Sequence, residues 1–134
     1  MTKLRVLMFG LVSAAMLAWA VPAMAHPARA AGTTVKVTAG KPSEFHFTLS
    51  AMSVKHGAVT FTVTNKGALG HDFKICSSAK GGLHLSCAGS ATPLIAPGKT
   101  ATLKVTFKTA GTYEYLCVVP GHAAAGMKGD IKVT

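Results

Sequence analysis

Three residues near the C-terminal end of the chain have side chains that bind soft metal ions. Cys117, His122 and Met127 follow one another at intervals of five residues. A thiolate, an imidazole and a thioether are soft or borderline ligands, and this set suits a copper ion that cycles between Cu(I) and Cu(II). A proline and several glycines in the same segment favour a tight loop. The pattern predicts a loop that curls its side chains around one ion.

Ligands on one flexible loop would not fix a redox geometry, so a fourth ligand must come from elsewhere. His71 is the candidate, because it follows a turn-like segment, 67–70, and begins a stretch with strand character. His71, His122 and Cys117 would form a trigonal set with a weak axial Met127. Two histidines, one cysteine and a long axial methionine are the ligands of a blue-copper electron-transfer site.

The elements that must position these ligands are short strands. Apolar residues alternate with polar residues along most of the chain from residue 35 to the C-terminus, and turn residues such as Gly40-Lys41-Pro42 and Pro97-Gly98 separate the alternating stretches. Alternation with period two is typical of half-buried strands. Strands of this length and spacing favour an antiparallel β-sandwich. We expect about seven or eight strands in one domain, residues 35–134.

Two stretches resemble a known family. Residues 111–131, with their Y-x-Y-x-C, P-G-H and G-M-x-G elements, resemble the C-terminal signature of the cupredoxins, the small type 1 blue-copper proteins of the plastocyanin/azurin group. Residues 59–67 followed by His71-Asp72-Phe73 resemble the region of the family's first histidine. The resemblance implies a Greek-key β-sandwich, one copper ion and one-electron transfer. The loop spacing is more similar to rusticyanin, sulfocyanin or auracyanin than to plastocyanin.

By this resemblance the metal ligands are His71, Cys117, His122 and Met127. Many members have Asn directly after the first histidine, where this chain has Asp72. A carboxylate there could accept hydrogen bonds from the ligand loop, although it could also titrate. Gly70 resembles azurin, in which a main-chain carbonyl at that place approaches the metal, so a fifth contact is a further possibility.

A polar insertion lies between Cys76 and Cys87. Two cysteines at this separation in an exported chain favour a disulfide, which would contribute roughly 3 kcal/mol by the chain-entropy model. The alternative is a second metal site formed by Cys76, His84 and Cys87. The other three histidines, His26, His46 and His56, have no comparable ligand pattern around them, and His46 is expected to face solvent between two phenylalanines.

The first 25 residues have the layout of a secretory signal peptide: basic residues, an apolar run and an Ala-Met-Ala ending. We expect cleavage after Ala25, with a second cut after Ala30 or an uncleaved membrane anchor as alternatives. Residues 26–34 would then form a flexible lead-in. The protein would act outside the cytoplasm, in the periplasm or the extracellular space.

Size and charge exclude several classes of protein. A chain of 134 residues has room for one domain, which excludes a multidomain enzyme. Its formal net charge of +10 does not indicate nucleic-acid binding, because lysines are spread singly along strands, as at Lys36, Lys104 and Lys132. Such lysines are expected on the solvent side, where they keep strands soluble.

These observations predict an exported, monomeric electron carrier that is not an enzyme. The electron would pass through the edge of His122, and lysines would steer redox partners with acidic surfaces towards the protein. An apolar docking patch is expected around that edge: Val119, Pro120, Ala123, Ala124 and Ala125. The alternative function is the delivery or sequestration of copper outside the cytoplasm.

Overall fold

The structure is a computed structural model that describes residues 32–79 and 87–134. The predicted signal peptide and both cleavage sites lie outside these residues, as does His84. Within them the chain forms nine strands: β1 (Thr33–Ala39), β2 (Phe47–Leu49), β3 (Ser53–Val54), β4 (Gly57–Asn65), β5 (Lys74–Cys76), β6 (Gly89–Ala91), β7 (Thr100–Phe107), β8 (Gly111–Leu116) and β9 (Lys128–Val133).

The strands form two packed sheets, which confirms the predicted all-β sandwich. One sheet has the order β2-β1-β4-β7 and the other β3-β9-β8-β5-β6. Most strand pairs are antiparallel, as predicted, and two pairs are parallel: β1 with β4, and β3 with β9. The chain changes sheets at β3 and returns at β4 to lie beside β1, while β3 pairs with β9, the last strand.

Alternation along the long strands sends apolar side chains into the core between the sheets. In β4 the residues Val59, Phe61 and Val63 are buried, whereas the threonines between them are partly exposed. Lys36, Lys104 and Lys132 are all exposed, as predicted. Burying one face of each sheet removes apolar surface from water. This burial is favourable by roughly 25 cal/mol per Å², and it stabilises the packing of the two sheets.

The shortest strands leave little sequence signal, which explains why more strands exist than were predicted. β3 has two residues, and β6 is a fully exposed Gly-Ser-Ala segment without any alternation. The boundary of the predicted lead-in also differs, since Thr33 and Thr34 belong to β1 and pair with Val59 and Thr60. Backbone pairing with β4 determines where β1 begins, and the polar side chains of Thr33 and Thr34 give no sequence signal of this pairing.

The second sheet determines where the C-terminal cysteine lies. Strand β8 runs between β9 and β5, and its last four residues are buried on both faces. Cys117 follows directly after β8, and Met127 directly precedes β9. These two strands therefore hold both ends of the predicted ligand loop. Among the described residues, no helix is long and apolar enough to cross a membrane.

Candidate metal centre

Three of the four predicted ligands meet in one buried cluster. Potential ligand atoms of His71, Cys117 and His122 all lie within 4.8 Å of one another. Nδ1 of His71 is 3.1 Å from Nδ1 of His122, and that atom is 3.5 Å from Sγ of Cys117. His71 and Cys117 are fully buried, and His122 is 8% exposed. Segments 46 residues apart in sequence thus bring one sulfur and two nitrogens together.

The donor set fits a copper ion. Nitrogen and thiolate ligands bind metal ions of this size at roughly 2.0–2.3 Å, so ligand atoms that share one ion lie about 3–4 Å apart. The distances from His122 Nδ1 to the other two ligand atoms fall in this range. Buried, soft and borderline donors are also the set that selects copper over hard cations such as magnesium or calcium.

His71 lies outside the strands and is held by backbone bonds on both sides. Its N–H donates to the carbonyl of Ile95 at 3.1 Å, and its own carbonyl accepts from the Ile95 N–H at 2.7 Å. The sequence predicted that a strand begins at His71. Regular strand pairing begins only at Lys74, and His71 forms this single bridge instead.

Asn65, the last residue of β4, organises the turn that precedes His71. Its Nδ2 donates to the carbonyls of Leu69 and Ile95 at 2.7 and 2.8 Å. Its Oδ1 accepts from the N–H of Gly67 at 2.9 Å. Because the side chain is fully buried, these three bonds satisfy groups that water does not reach. Asn65 therefore sets the shape of the predicted 67–70 turn.

Glu44, in the segment between β1 and β2, contacts the same turn. Its carboxylate accepts from the N–H groups of Ala68 and Leu69 and lies 2.9 Å from Nε2 of His71. The two backbone N–H groups, followed by His71, lower the pKa of Glu44 to about 2. The next residue, Phe45, packs its ring edge-on against the His122 ring at a centroid distance of 5.0 Å. Adjacent residues thus contact both imidazoles.

The C-terminal ligand loop is held mainly by its own backbone. The N–H of Cys117 donates to the Met127 carbonyl, and the N–H of Met127 donates to the His122 carbonyl, both at 3.0 Å. Tight turns fill the segment between them. Gly121 and Gly126 have φ angles of 84° and 111°, in the region that favours glycine. The predicted tight loop is therefore present.

Met127 is fully buried and belongs to the same core cluster as Cys117. Its backbone bonds to Cys117 and His122 place it beside the other predicted ligands. The role of its sulfur as an axial ligand stays a prediction. Gly70 directly precedes His71 and faces the Leu94 side chain, and the approach of its carbonyl to a metal also stays a prediction.

Asp72 connects the two segments that supply the cluster. Its Oδ1 accepts from the N–H of Val118 at 2.7 Å. This contact is the hydrogen bond to the ligand loop that the sequence indicated. A charge-assisted bond of this kind is shorter and stronger than a neutral one, so it fixes the position of the residue after Cys117.

Burial sets the protonation of the ligands. Burial raises the pKa of the Cys117 thiol to about 11, because its effect is larger than that of the backbone hydrogen bonds that lower the pKa. Burial, with a smaller contribution from His71, lowers the pKa of His122. The imidazole is thus neutral near pH 7 and has a lone pair for a metal, whereas the thiol needs a bound cation to remain a thiolate.

Cys76 and Cys87 form the predicted disulfide, with a Cα–Cα distance of 5.6 Å. Both sulfurs are therefore used, and the alternative metal site with His84 was wrong. His46 is exposed as predicted, although it lies just before β2, outside the strand. His56 is also exposed, and its Nδ1 lies 3.2 Å from the Thr134 carbonyl. His26 lies outside the described residues.

The predicted docking patch is only partly exposed. Pro120, Ala124 and Ala125 are exposed, and Val119 is partly buried against the core. Ala123 does not fit the prediction, because it is buried against Cys76 and Leu116. Three large apolar side chains outside the predicted patch are also exposed: Leu69, Leu94 and Val118. Leu69 and Val118 are close in sequence to the clustered ligands, and Leu94 precedes Ile95, the bridge partner of His71.

The sequence interpretation missed Asn65 and Glu44. Asn65 occupies the next inward position after Val59, Phe61 and Val63, and this parity could have indicated that it is buried. Glu44 carried a weaker signal. It is one of only four acidic residues in the chain, but nothing local to it indicates contact with a histidine 27 positions away.

Comparison with known proteins identifies the family of this chain. The family described as copper binding proteins of the plastocyanin/azurin family matches residues 33–134. Rusticyanin of Acidithiobacillus ferrooxidans is 41% identical over 85 residues, covering 56% of this chain and 52% of rusticyanin. The chain thus spans about half the length of that relative. The copper-resistant cuproprotein CopI of Vibrio cholerae is 30% identical over 120 residues, covering 82% of this chain and 70% of CopI.

Solved structures of auracyanin and rusticyanin have a similar fold. Reduced auracyanin of Roseiflexus castenholzii superposes with a TM-score of 0.63 at 25% identity, covering 78% of this chain and 98% of auracyanin. Rusticyanin of Thiobacillus ferrooxidans superposes with a TM-score of 0.60 at 27% identity, covering 78% and 79% of the two chains. The predicted similarity to rusticyanin and auracyanin is confirmed. The match over residues 33–134 places this chain in the plastocyanin/azurin family of copper-binding proteins, the cupredoxins.

Proposed function

We propose that this chain is an exported one-electron carrier. Its type 1 copper ion would be bound by His71, Cys117 and His122, with Met127 as the weak axial ligand. The observation that carries the proposal is the buried cluster itself, in which three ligand atoms lie within 4.8 Å of one another. The burial of Met127 against the same loop supports the fourth ligand.

Copper, when bound, supplies a couple between Cu(II) and Cu(I). The contribution of the protein is to keep its ligands nearly still in both states. The backbone bridge at His71, the bonds between Cys117 and Met127, and the Asp72 contact all support this rigidity. Preorganised ligands avoid the reorganisation that would otherwise slow electron transfer.

His122 is the ligand through which the electron would leave, because it alone among the three clustered ligands keeps some exposure. The exposed apolar residues around the cluster would form the docking surface: Leu69, Leu94, Val118, Pro120, Ala124 and Ala125. An apolar patch allows brief contact with another redox protein. The excess of basic over acidic residues favours partners with acidic surfaces. We expect the carrier to be a monomer.

Export is supported by the N-terminal signal pattern and by the disulfide. Disulfides persist in oxidising compartments and are rare in the cytoplasm. The periplasm or the extracellular space is therefore the proposed location.

The proposal is tested by adding Cu(II) to the metal-free protein and recording its visible spectrum. We expect an intense thiolate-to-copper charge-transfer band, and its complete loss in Cys117→Ser. His46→Ala is the matched control, because His46 is exposed and outside the cluster, and it should retain the band. A wild-type protein that binds copper without colour would contradict the proposal.

Copper handling is the second candidate, and the relation to CopI favours it. A protein that delivers copper must expose its ligands to an acceptor. Full burial of His71 and Cys117 argues for retention of the ion instead, so the carrier is the better-supported function.

Transfer experiments separate the two candidates. A carrier loaded with Cu(I) should keep its copper during incubation with a high-affinity Cu(I) chelator and should exchange electrons rapidly with a small redox dye. Rapid loss of Cu(I) together with slow electron exchange would favour delivery.

A further inference from the structure

The carboxylate of Glu44 forms a compact set of contacts with the His71 segment. Oε1 accepts from the Leu69 N–H at 2.8 Å and lies 2.9 Å from Nε2 of His71. Oε2 accepts from the Ala68 N–H at 2.9 Å. A single side chain from the β1–β2 segment thus fixes both the turn and the ring that follows it.

Gly67 provides the space for this carboxylate, and Gly40 allows the backbone to approach Gly67. A Cβ on Gly67 would lie 2.5 Å from Oε1 of Glu44 and 3.0 Å from Nε2 of His71. A Cβ on Gly40 would meet the backbone of Gly67, and Gly40 also has a φ of 76°. Real Cβ atoms do not approach other atoms so closely. The contact between Glu44 and His71 therefore requires glycine at position 67, and glycine at position 40 allows the two backbone segments to approach each other.

The contact also determines which nitrogen of His71 carries its proton. An ionised carboxylate only accepts hydrogen bonds, so Nε2 of His71 must be the donor to Glu44. Nδ1 is then left with its lone pair, and Nδ1 is the atom that faces His122 at 3.1 Å. The carboxylate holds the ring in the tautomer and orientation that a metal ligand needs.

We propose that Glu44 is a positioning residue of the copper site that lowers its reduction potential. This inference rests on the proposed function, because it requires His71 to be a copper ligand. A carboxylate bonded to the distal nitrogen increases the electron density that the imidazole donates. A negative charge near the site favours the more positive ion, Cu(II), over Cu(I).

The main test is the midpoint potential of Glu44→Gln, measured by spectroelectrochemistry. Glutamine has nearly the same shape and can still accept from His71, but it removes the charge. We expect the charge-transfer band to remain and the ratio of Cu(II) to Cu(I) affinity to fall about tenfold, a rise of about 59 mV for one electron. Asp130→Asn is the matched control, because it removes an exposed carboxylate on β9 and should leave the potential unchanged.

Gly67→Ala provides an independent variant that retains the charge. The added Cβ must displace the carboxylate from His71, so the potential should rise again although Glu44 is still present. A role limited to stabilising the turn would lower the free energy of unfolding in these variants without changing the potential.

The outcomes separate the two proposals. A blue Glu44→Gln protein with the wild-type potential would overturn the role of Glu44 and leave the copper site intact. A wild-type protein without the charge-transfer band would overturn the site itself, and the role of Glu44 with it.

Discussion

The two buried histidines of the site are held in different ways. His71 contacts Glu44 and Ile95, which are distant in sequence, and follows a turn that Asn65 shapes. His122 depends mainly on the backbone of its own loop, which closes on itself between Cys117 and Met127, although Phe45 packs against its ring. One half of the site is thus specified over long sequence distances and the other half locally. The first half should respond to single side-chain changes in the scaffold, and the second to changes in backbone conformation.

Removal of the disulfide should cause the largest loss of stability while leaving both halves of the copper site intact. In a Cys76→Ser, Cys87→Ser double variant we expect the free energy of unfolding to fall by about 3 kcal/mol, because the open loop regains chain entropy. The copper band should keep its position and intensity, since neither cysteine bonds to a ligand. Chemical denaturation and visible spectroscopy measure the two effects. A displaced band would mean that the contact of Cys76 with Ala123 also shapes the ligand loop.

Asn65→Ala should damage the His71 half selectively. It removes three side-chain hydrogen bonds, and at about 1 kcal/mol each the free energy of unfolding should fall by roughly 2–3 kcal/mol. Copper affinity should fall as well, because the turn before His71 loses its shape. Thr62→Ala, on the outer face of the same strand, is the control and should have little effect. If Asn65→Ala binds copper as the wild type does, the His71 half does not depend on this residue.

Asp72→Ala breaks the connection between the halves. We expect a loss of about 1.5 kcal/mol of stability, since the Val118 N–H loses a charged acceptor, together with a broader copper band. Asp72→Asn keeps an oxygen for the same N–H and should restore most of both properties. Equal behaviour of the two variants would show that the hydrogen bond is not what matters.

Gly121→Ala tests the half of the site that the ligand loop forms, and Gly98→Ala, in a turn outside that loop, is the matched control. Both glycines have similar positive φ angles, 84° and 75°, and a Cβ on either meets nothing within 4 Å. Each alanine should therefore lower the free energy of unfolding by about 1 kcal/mol through backbone strain alone. Only Gly121→Ala should change the copper spectrum. A spectral change of the same size in Gly98→Ala would remove the distinction between the ligand loop and other turns.

The difference between the halves also explains what the sequence could predict. Cys117, His122 and Met127 were found from spacing because their geometry is local to one loop between two strands. The long strands were found because alternation reports which face is buried. Glu44 could not be found, because tertiary packing alone brings its carboxylate to a histidine 27 residues away. The two parallel strand pairs depend on chain crossings that leave no periodic signal.

The central place of β8 in its sheet has a consequence for how the site would come apart. Strands with neighbours on both sides open last, while segments outside regular pairing open at a lower cost in free energy. Cys117 follows β8 directly, whereas the backbone of His71 pairs through a single bridge outside the named strands. In a partial opening, we therefore expect the mid-chain imidazole to separate first and the sulfur to remain anchored, so that the protein can rebuild the site from the C-terminal loop.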